Sequence, residues 1–425
     1  MRTIGLFSAV SIGIGGMVGG GIFAVLGEAV SLAHGATPIA FFIAGIIAMF
    51  SAYSYAKLSV SFQSRGGTVF FIDKAFGQNI LSGSINFMLW LSYIVTISLY
   101  SVAFASYGVT FFDETTVLLS HTLISIAIII PAGINIISTS FVGKSESVIV
   151  ALKITLLIII IISGSFYVDF SKLNPTNYGT PISILSAGMI IFVAYEGFEL
   201  IANASQSIKN PEVNLPRAFY ICVSIVIVLY ILIAIVTVGT VDEKALLEAQ
   251  DYALAFAAKP ALGQVGFILV SIAALLSTFS AINATIFGNA RLGYIIAKDG
   301  RLPTLFEYEK GNIPIVGVVL TLLCSLVLAN TIDLKDIAII ASAGFLLIFF
   351  IVNLSAFKLA DTIKANRFIV GFASFFSILA LIILLFQTYT TNPKAIILFI
   401  SFIFASFSFE IVYGKIRGHI FKRKY

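Results

Sequence analysis

The sequence is poor in charge and in the side chains that most enzymes use for chemistry. Only 11% of its 425 residues are charged, and it has three histidines, two cysteines and one tryptophan. No phosphate-binding glycine loop, metal-spaced histidine cluster or nucleophile–base pair is recognisable, which excludes an ATP-driven pump and gives an enzyme little support. Cys222 and Cys324 stand singly in apolar segments, which predicts packing roles rather than a disulfide or a metal site. We expect no cofactor and no bound metal.

Apolar residues dominate instead. They make up 59% of the chain, and the mean hydropathy is +1.06. A soluble chain could not bury so much apolar surface, so the composition predicts an all-α polytopic membrane protein. At about 20 apolar residues per span, we predict twelve transmembrane helices joined by short loops. Their ranges are 5–32, 37–62, 80–112, 117–138, 145–168, 181–206, 216–240, 262–297, 314–331, 335–357, 367–389 and 394–414.

Basic residues are distributed unequally between the two sides of the predicted membrane. Of the 25 Lys and Arg residues, 19 fall on the side of the N terminus and Lys153 falls inside a span. The other five are Lys172, Lys244, Lys259, Lys335 and Lys394. The positive-inside rule therefore predicts a cell-membrane protein with both termini in the cytoplasm. The basic tail 415–425 is expected to contact the anionic lipid of the inner leaflet, and a nucleic-acid partner is not expected.

The first segment contains a dense run of glycines. The stretch GIGGMVGGGIF, from Gly13 to Phe23, holds six glycines in eleven residues. Because glycine costs about 1 kcal/mol relative to alanine inside a helix, this density predicts an interrupted helix. Unwound backbone is tolerated at membrane depth only where it is buried in protein or lines a cavity, so the break is a candidate solute site. Close helix packing through Gly15 and Gly19 is the alternative, but the three consecutive glycines 19–21 favour unwinding.

The sixth segment is interrupted as well. The stretch FVAYEGFEL, from Phe192 to Leu200, places Glu196 and Glu199 around Gly197 within an apolar run. The first and sixth segments correspond to each other if segments one to five and six to ten form a repeat. Paired interruptions at corresponding positions indicate a transporter site built on an inverted repeat.

Several motifs along nearly the whole chain resemble those of the amino acid–polyamine–organocation (APC) transporters. They are GGGIF at Gly19–Phe23, YAKLS at Tyr55–Ser59, RGGTVFFIDKAFG at Arg65–Gly77, YEGFE at Tyr195–Glu199, IKNPEVNLPRA at Ile208–Ala218 and AKDGRLP at Ala297–Pro303. The second and third of these resemble the end of the family's second helix and the loop that follows it. Each motif alone is moderately specific, whereas the set in this order is far more so.

The resemblance implies a LeuT-like fold, in which two inverted five-helix repeats are followed by two peripheral helices. The corresponding divisions are 1–168, 181–357 and 367–414, followed by the tail 415–425. The resemblance also implies that a small amino acid or amine is held between the first, third, sixth and eighth helices.

The broken helices suit the two charged groups of such a ligand. Free N–H groups and the positive dipole end at the N terminus of a half-helix attract a carboxylate, and by position Gly20 and Gly21 have this role. Unwound carbonyls only accept hydrogen bonds, so an ammonium group is assigned to those around Met17, Val193 and Glu196. The remaining predicted substrate contacts are Gly19, Ile22, Phe192, Ala194, Tyr195 and Gly197. No charged residue is clearly placed at the ligand's distal end, which favours a small or apolar amino-acid side chain.

Lys153 is the one basic residue deep within a predicted span. A charged amine there is costly, so an intramembrane lysine marks a functional site by default, and burial can bring a lysine into the range where it binds and releases a proton near neutral pH. Some proton-coupled APC members resemble this chain in having a fifth-helix lysine whose amine takes the place of a coupling cation. We predict proton coupling at Lys153, with a snorkelling lysine as the alternative. Its predicted neighbours are Gly15, Ser277, Thr278 and Ser280.

Other polar and aromatic residues are weaker candidates. Glu199 is a second candidate proton site, at a position where many family members carry glutamate, whereas Glu196 could instead bond backbone N–H groups freed by the break. Glu28 is expected in a structural or vestibular position, and Glu410 at the interface of the peripheral helices. The candidate gating aromatics are Phe192, Tyr195, Trp90 and Tyr93, with Phe192 as the candidate lid. Asn283 is expected either to anchor the site or to bond to a neighbouring helix.

Together these patterns predict a proton-coupled amino-acid symporter that works by alternating access. An amino-acid or amine exchanger and a sodium-coupled symporter of the same fold are the alternatives. Sodium coupling is less favoured because the Lys153 ammonium would occupy the position of the cation.

Overall fold

A computed structural model describes residues 3–64, 66–137, 139–311 and 313–420, with the side chains of 139–147 and 418–420 left out. The described helices are α1 (Leu6–Met17), α2 (Gly21–Ala33), α3 (Thr37–Ser61), α4 (Thr68–Phe76), α5 (Ile80–Gly108), α6 (Val117–Ile137), α7 (Thr139–Ser165), α8 (Pro181–Ile190), α9 (Leu200–Asn203), α10 (Pro211–Thr240), α11 (Glu243–Glu248), α12 (Ala253–Ala257), α13 (Lys259–Lys298), α14 (Ile315–Thr331), α15 (Leu334–Lys358), α16 (Arg367–Thr391) and α17 (Pro393–Ile420). Of the basic residues used to predict orientation, Arg2, Arg65, Lys144, Lys422, Arg423 and Lys424 lie outside the described residues or side chains. So do the side chain of His419 and the end of the predicted tail, 421–425.

The described chain is an all-helical membrane protein. Ten of its helical segments are long and apolar enough to cross a membrane, and the bent pair α1–α2 makes an eleventh. Helix α14, at 17 residues, is apolar but shorter. Each of the twelve predicted segments overlaps a helix or a broken helix, although the count of twelve spans stays a prediction.

Three local features differ from the sequence prediction. The stretch predicted as a loop after the second segment contains a helix, α4. Helix α10 begins at Pro211 rather than 216, because a proline at the first helical position has no N–H left without a partner. Cys324 is exposed on α14, so a packing role holds only for the buried Cys222.

The first span is broken between Met17 and Gly21. The Val18 N–H still bonds to the Ile14 carbonyl at 2.7 Å, and the i→i−4 ladder resumes only with the Ala24 N–H bonded to Gly20 at 3.0 Å. Helices α1 and α2 meet at 48° across this break. The predicted interruption of the first helix is therefore present in the structure.

The second break separates α8 from the single turn α9. A 3₁₀ turn, Ile191–Tyr195, follows α8, and Glu196 has extended backbone. Gly197 has a φ of +123°, a conformation that residues with a side chain rarely adopt, so the chain requires glycine there. The predicted interruption of the sixth segment is also present.

The two breaks lie side by side in the core. Helix α10 packs along α3 and α1, while α13 packs along α5 and α7. The Tyr230 hydroxyl of α10 lies 2.6 Å from the Met17 carbonyl and 3.1 Å from the Ala194 carbonyl. One side chain thus contacts both interrupted segments.

Candidate functional site

A cavity of about 150 Å³ opens beside the two breaks. Its wall comes from α1, the chain between α3 and α4, the start of α4, α5, the second break with α9, and α13. The lining residues are Ile12, Gly15, Gly16, Gly66, Thr68, Leu89, Tyr93, Tyr100, Glu196, Gly197, Leu200, Asn203, Ala281, Ala284, Thr285, Gly288, Asn289 and Leu292. Glu196 is the only acidic or basic residue among these described lining residues. The cavity lies on the side of the breaks where α1 begins.

The structure brings only some of the predicted site residues to this cavity. Gly15, Glu196 and Gly197 line it. The other predicted substrate contacts are buried around the breaks but do not line the cavity; they are Met17, Gly19, Gly20, Gly21, Ile22, Phe192, Val193, Ala194 and Tyr195. The Met17 carbonyl, which was predicted to receive an ammonium group, accepts a hydrogen bond from Tyr230 instead.

Tyr100 separates the cavity from the N terminus of α2. Its ring lies directly over Gly20, where an added side-chain carbon would overlap the ring. Its hydroxyl donates to Glu196 Oε2 at 3.3 Å. Sequence reasoning named Tyr93 on this helix but missed Tyr100. The spacing of seven residues was the available signal, because it places both side chains on one helix face.

The two glutamates of the second break are hydrogen-bonded to each other and differ in their other partners. Glu199 accepts hydrogen bonds from the Gly197 N–H at 2.7 Å and from the Tyr93 hydroxyl at 3.2 Å. It is 1% exposed and does not line the cavity, whereas Glu196 is 4% exposed and does. The predicted bond to a freed N–H group is thus found at Glu199.

Lys153 lies at the first break. It is 2% exposed, and its Nζ atom donates to the Gly15 carbonyl at 3.5 Å. A snorkelling lysine would expose its amine, which does not describe this position. The other predicted neighbours are buried in α13. The Ser277 hydroxyl lies 2.9 Å from the Gly19 carbonyl, and Thr278 donates to Ala274 within α13 at 2.7 Å.

The remaining candidate aromatic residues pack outside the cavity. Phe192 meets Phe349 edge-on at 5.7 Å between ring centroids. The Tyr195 hydroxyl donates to the Phe41 carbonyl at 2.8 Å. Trp90 stacks on Phe87 at 5.7 Å. Tyr93 is the one predicted gating aromatic that lines the cavity.

The other polar candidates connect helices. The Asn135 amide of α6 donates to the side-chain oxygen of Asn283 at 2.8 Å, so Asn283 bonds to a neighbouring helix. Glu28 forms an ion pair of 3.2 Å with Lys335 at the start of α15 and lines a separate cavity. Glu410 lies 3.4 Å from Arg417 and packs against α5.

Two of the family-like motifs meet in a largely buried ion pair. Asp73 of α4 lies 3.3 Å from Arg301, which follows α13 in the motif AKDGRLP. Asn86 also donates to Asp73, at 3.0 Å. Burial raises the pKa of the Asp73 carboxyl, and the positive charge of Arg301 opposes that rise. The pair therefore ties α4 to the chain that directly follows α13.

Two spans broken side by side over an internal cavity define the architecture of a secondary transporter. The chain belongs to the amino acid permease family, whose model matches residues 4–407. It is a transporter and not an enzyme.

Relatives match along most of their length. An uncharacterized protein of Methanocaldococcus jannaschii is 35% identical over 99% of this chain and 97% of its own. The inner membrane transport protein YbaT of Escherichia coli is 32% identical over 93% of each chain. The methylthioribose transporter of Bacillus subtilis is 27% identical over 84% of this chain and 81% of its own.

Proposed function

We propose that this protein is a proton-coupled amino-acid symporter of the cell membrane that works by alternating access. In this proposal both termini lie in the cytoplasm, where the excess of Lys and Arg belongs under the positive-inside rule. The chain forms a LeuT-like pair of five-helix repeats, 1–168 and 181–357, with 367–414 as peripheral helices. The occurrence of breaks in the first and sixth segments supports this division.

The contact between Lys153 and Gly15 carries the proposal of proton coupling. It places an amine against a backbone carbonyl two residues before the end of α1, within the protein interior. A protonated amine strengthens this hydrogen bond, and a neutral amine weakens it. Loading and release of one proton at Lys153 thereby changes how firmly α1 is held to α7. Since α1 also lines the cavity, the same change reaches the substrate site.

Reconstitution in proteoliposomes tests this coupling. We first measure uptake of each of the twenty amino acids, supplied singly in radiolabelled form, with and without an inwardly directed proton gradient. We then repeat the assay with Lys153→Ala for the amino acid that is accumulated. Leu152→Ala, at an exposed position one residue earlier on α7, is the matched control.

The expected result is that Lys153→Ala abolishes gradient-driven accumulation but retains substrate binding, while Leu152→Ala behaves like the wild type. Wild-type accumulation by Lys153→Ala would overturn the coupling role. Uptake by the wild type that depends on internal amino acid and not on pH would identify an exchanger. Dependence on a sodium gradient would identify a sodium symporter.

A further inference from the structure

We propose that Tyr100 is a gate inside the binding site, closed in this structure, and that the ammonium group of the substrate opens it by replacing the Tyr100 hydroxyl at Glu196. This inference rests on the proposed amino-acid transport. It adds a gating residue on the third span and gives the Glu196 side chain a direct role in binding.

The position of the ring is the first observation. Gly20 has no side chain, and the ring of Tyr100 occupies the space that one would need. Gly19 and Gly20 are buried and do not line the cavity, whereas Tyr100 does. The ring thus forms the partition between the cavity and the first break.

The second observation is that the N terminus of α2 lies behind this partition. Helix α2 has no side-chain cap, and its backbone ladder begins with the Ala24 N–H. The N–H groups of its first turn therefore precede the ladder, and this helix end favours an anionic group. A ligand in the cavity cannot reach it while the ring covers Gly20.

The third observation is the bond that holds the ring in place. The Tyr100 hydroxyl donates to Glu196 at 3.3 Å, which is long for a bond between two oxygen atoms. An ammonium group forms a shorter and stronger bond with a carboxylate. Among the described cavity-lining residues Glu196 is the only acidic or basic one, so its carboxyl is the acidic group that a cationic group meets when it enters the cavity. It can then displace the hydroxyl.

Displacement of the hydroxyl frees the ring to turn away from Gly20. The cavity and the N terminus of α2 then become continuous. A zwitterion can bridge the two parts, with its ammonium group at Glu196 and its carboxylate at the start of α2. A ligand without an ammonium group does not break the Tyr100–Glu196 bond and leaves the partition closed.

Removal of the Tyr100 hydroxyl tests whether Tyr100 acts as a gate or as a residue that binds the substrate. Tyr100→Phe keeps the ring but loses its bond to Glu196, so the open form becomes more populated. Apparent affinity rises in proportion to the competent population, and a bond of this type corresponds to roughly a threefold to tenfold change. Tyr53→Phe on α3, which removes a hydroxyl bonded to the Asn366 N–H and not lining the cavity, is the matched control.

Two measurements read out the gate in purified protein. The first is thermal stabilisation by an equimolar mixture of the twenty amino acids, titrated to give an apparent affinity. The second is hydrogen exchange of the peptide covering residues 18–24 without any ligand. For Tyr100→Phe we expect half-maximal stabilisation at a threefold to tenfold lower concentration and faster exchange. For Tyr53→Phe we expect wild-type values.

Glu196→Gln tests the trigger separately. Glutamine still accepts a bond from Tyr100 but offers no charge to an ammonium group. We expect wild-type exchange of residues 18–24 and at least tenfold weaker stabilisation by the amino acids. Wild-type affinity in this variant would overturn the role of the ammonium group.

The gate fails if Tyr100→Phe binds with equal or lower affinity than the wild type, or if its exchange is unchanged. Failure of the proposed function gives a different result, in which the wild type neither binds nor transports any of the twenty amino acids. That result would also overturn the proposal that a substrate ammonium group displaces the Tyr100 hydroxyl. The exchange of residues 18–24 without ligand still decides whether Tyr100 shields the break.

Discussion

Gly16 and Gly197 bring the two chain breaks into direct backbone contact. A side-chain carbon at Gly16 would lie 2.7 Å from the Gly197 carbonyl oxygen and 2.8 Å from its Cα atom. One at Gly197 would overlap the backbone of Gly16. The breaks can meet in this way because neither glycine carries a side chain. Gly16 and Gly197 both line the cavity.

Gly197→Ala should therefore inactivate the protein. The substitution adds backbone strain at φ +123° and a steric clash, which together cost roughly 2–4 kcal/mol. We expect a lower melting temperature in detergent and loss of amino-acid uptake. The control is Gly133→Ala on α6, where an added carbon meets nothing within 4 Å; it should keep uptake and have equal or slightly higher stability. Normal uptake by Gly197→Ala would contradict the close contact.

Tyr230→Phe should weaken the link between the breaks. The phenol hydroxyl is the hydrogen-bond donor to Met17 and Ala194, and a buried carbonyl left without its donor costs about 1–3 kcal/mol. We expect a lower melting temperature and slower uptake. Tyr220→Phe, on the same helix but only partly buried, is the control and should resemble the wild type. Equal melting temperatures for the two variants would contradict a role for the Tyr230 hydroxyl.

Arg301→Gln should destabilise the protein in a pH-dependent manner. Loss of one partner from a buried ion pair costs about 3–5 kcal/mol. Without the guanidinium, burial raises the pKa of Asp73 in the folded state further. When a carboxyl has a higher pKa in the folded state than in the unfolded state, the protein loses stability as the pH rises from the lower value toward the higher one. The fall in melting temperature should therefore be larger at pH 8 than at pH 5.

Two controls accompany the Arg301 variant. Arg367→Gln removes an exposed ion pair with Asp361, which contributes about 0–1 kcal/mol, so its melting temperature should change little. The double variant Asp73→Asn, Arg301→Gln lacks the carboxyl and should lose the added pH dependence. A pH-independent fall in the single variant would contradict the electrostatic explanation.

Asn135→Ala and Asn283→Ala should show a small energetic coupling in a double-mutant cycle. Hydrogen bonds between transmembrane helices average about 0.6 kcal/mol when measured in this way. Both single variants should retain substrate affinity, because neither residue lines the cavity. Reduced affinity in Asn283→Ala alone would instead place Asn283 in the binding site.

The sequence predicted those features that depend on local composition. Apolar runs mark the helices because each span must be apolar along its length, and the glycine run marks the break because glycine destabilises a helix. The contact between Lys153 and Gly15 also agrees with its predicted position. Tyr100, Tyr230 and the Asp73–Arg301 pair were missed. Each depends on which helix face meets a distant segment, and the evenly apolar sequence of a buried span does not reveal that face.

The Tyr230 hydroxyl has a consequence for movement at the site. The hydroxyl carries one hydrogen atom, yet two carbonyl oxygens, those of Met17 and Ala194, lie within hydrogen-bonding distance of it. If one break moves away, the hydrogen atom can remain with the other carbonyl, and the phenol keeps a partner throughout. The two segments can therefore shift relative to each other within the buried core without leaving this donor unbonded.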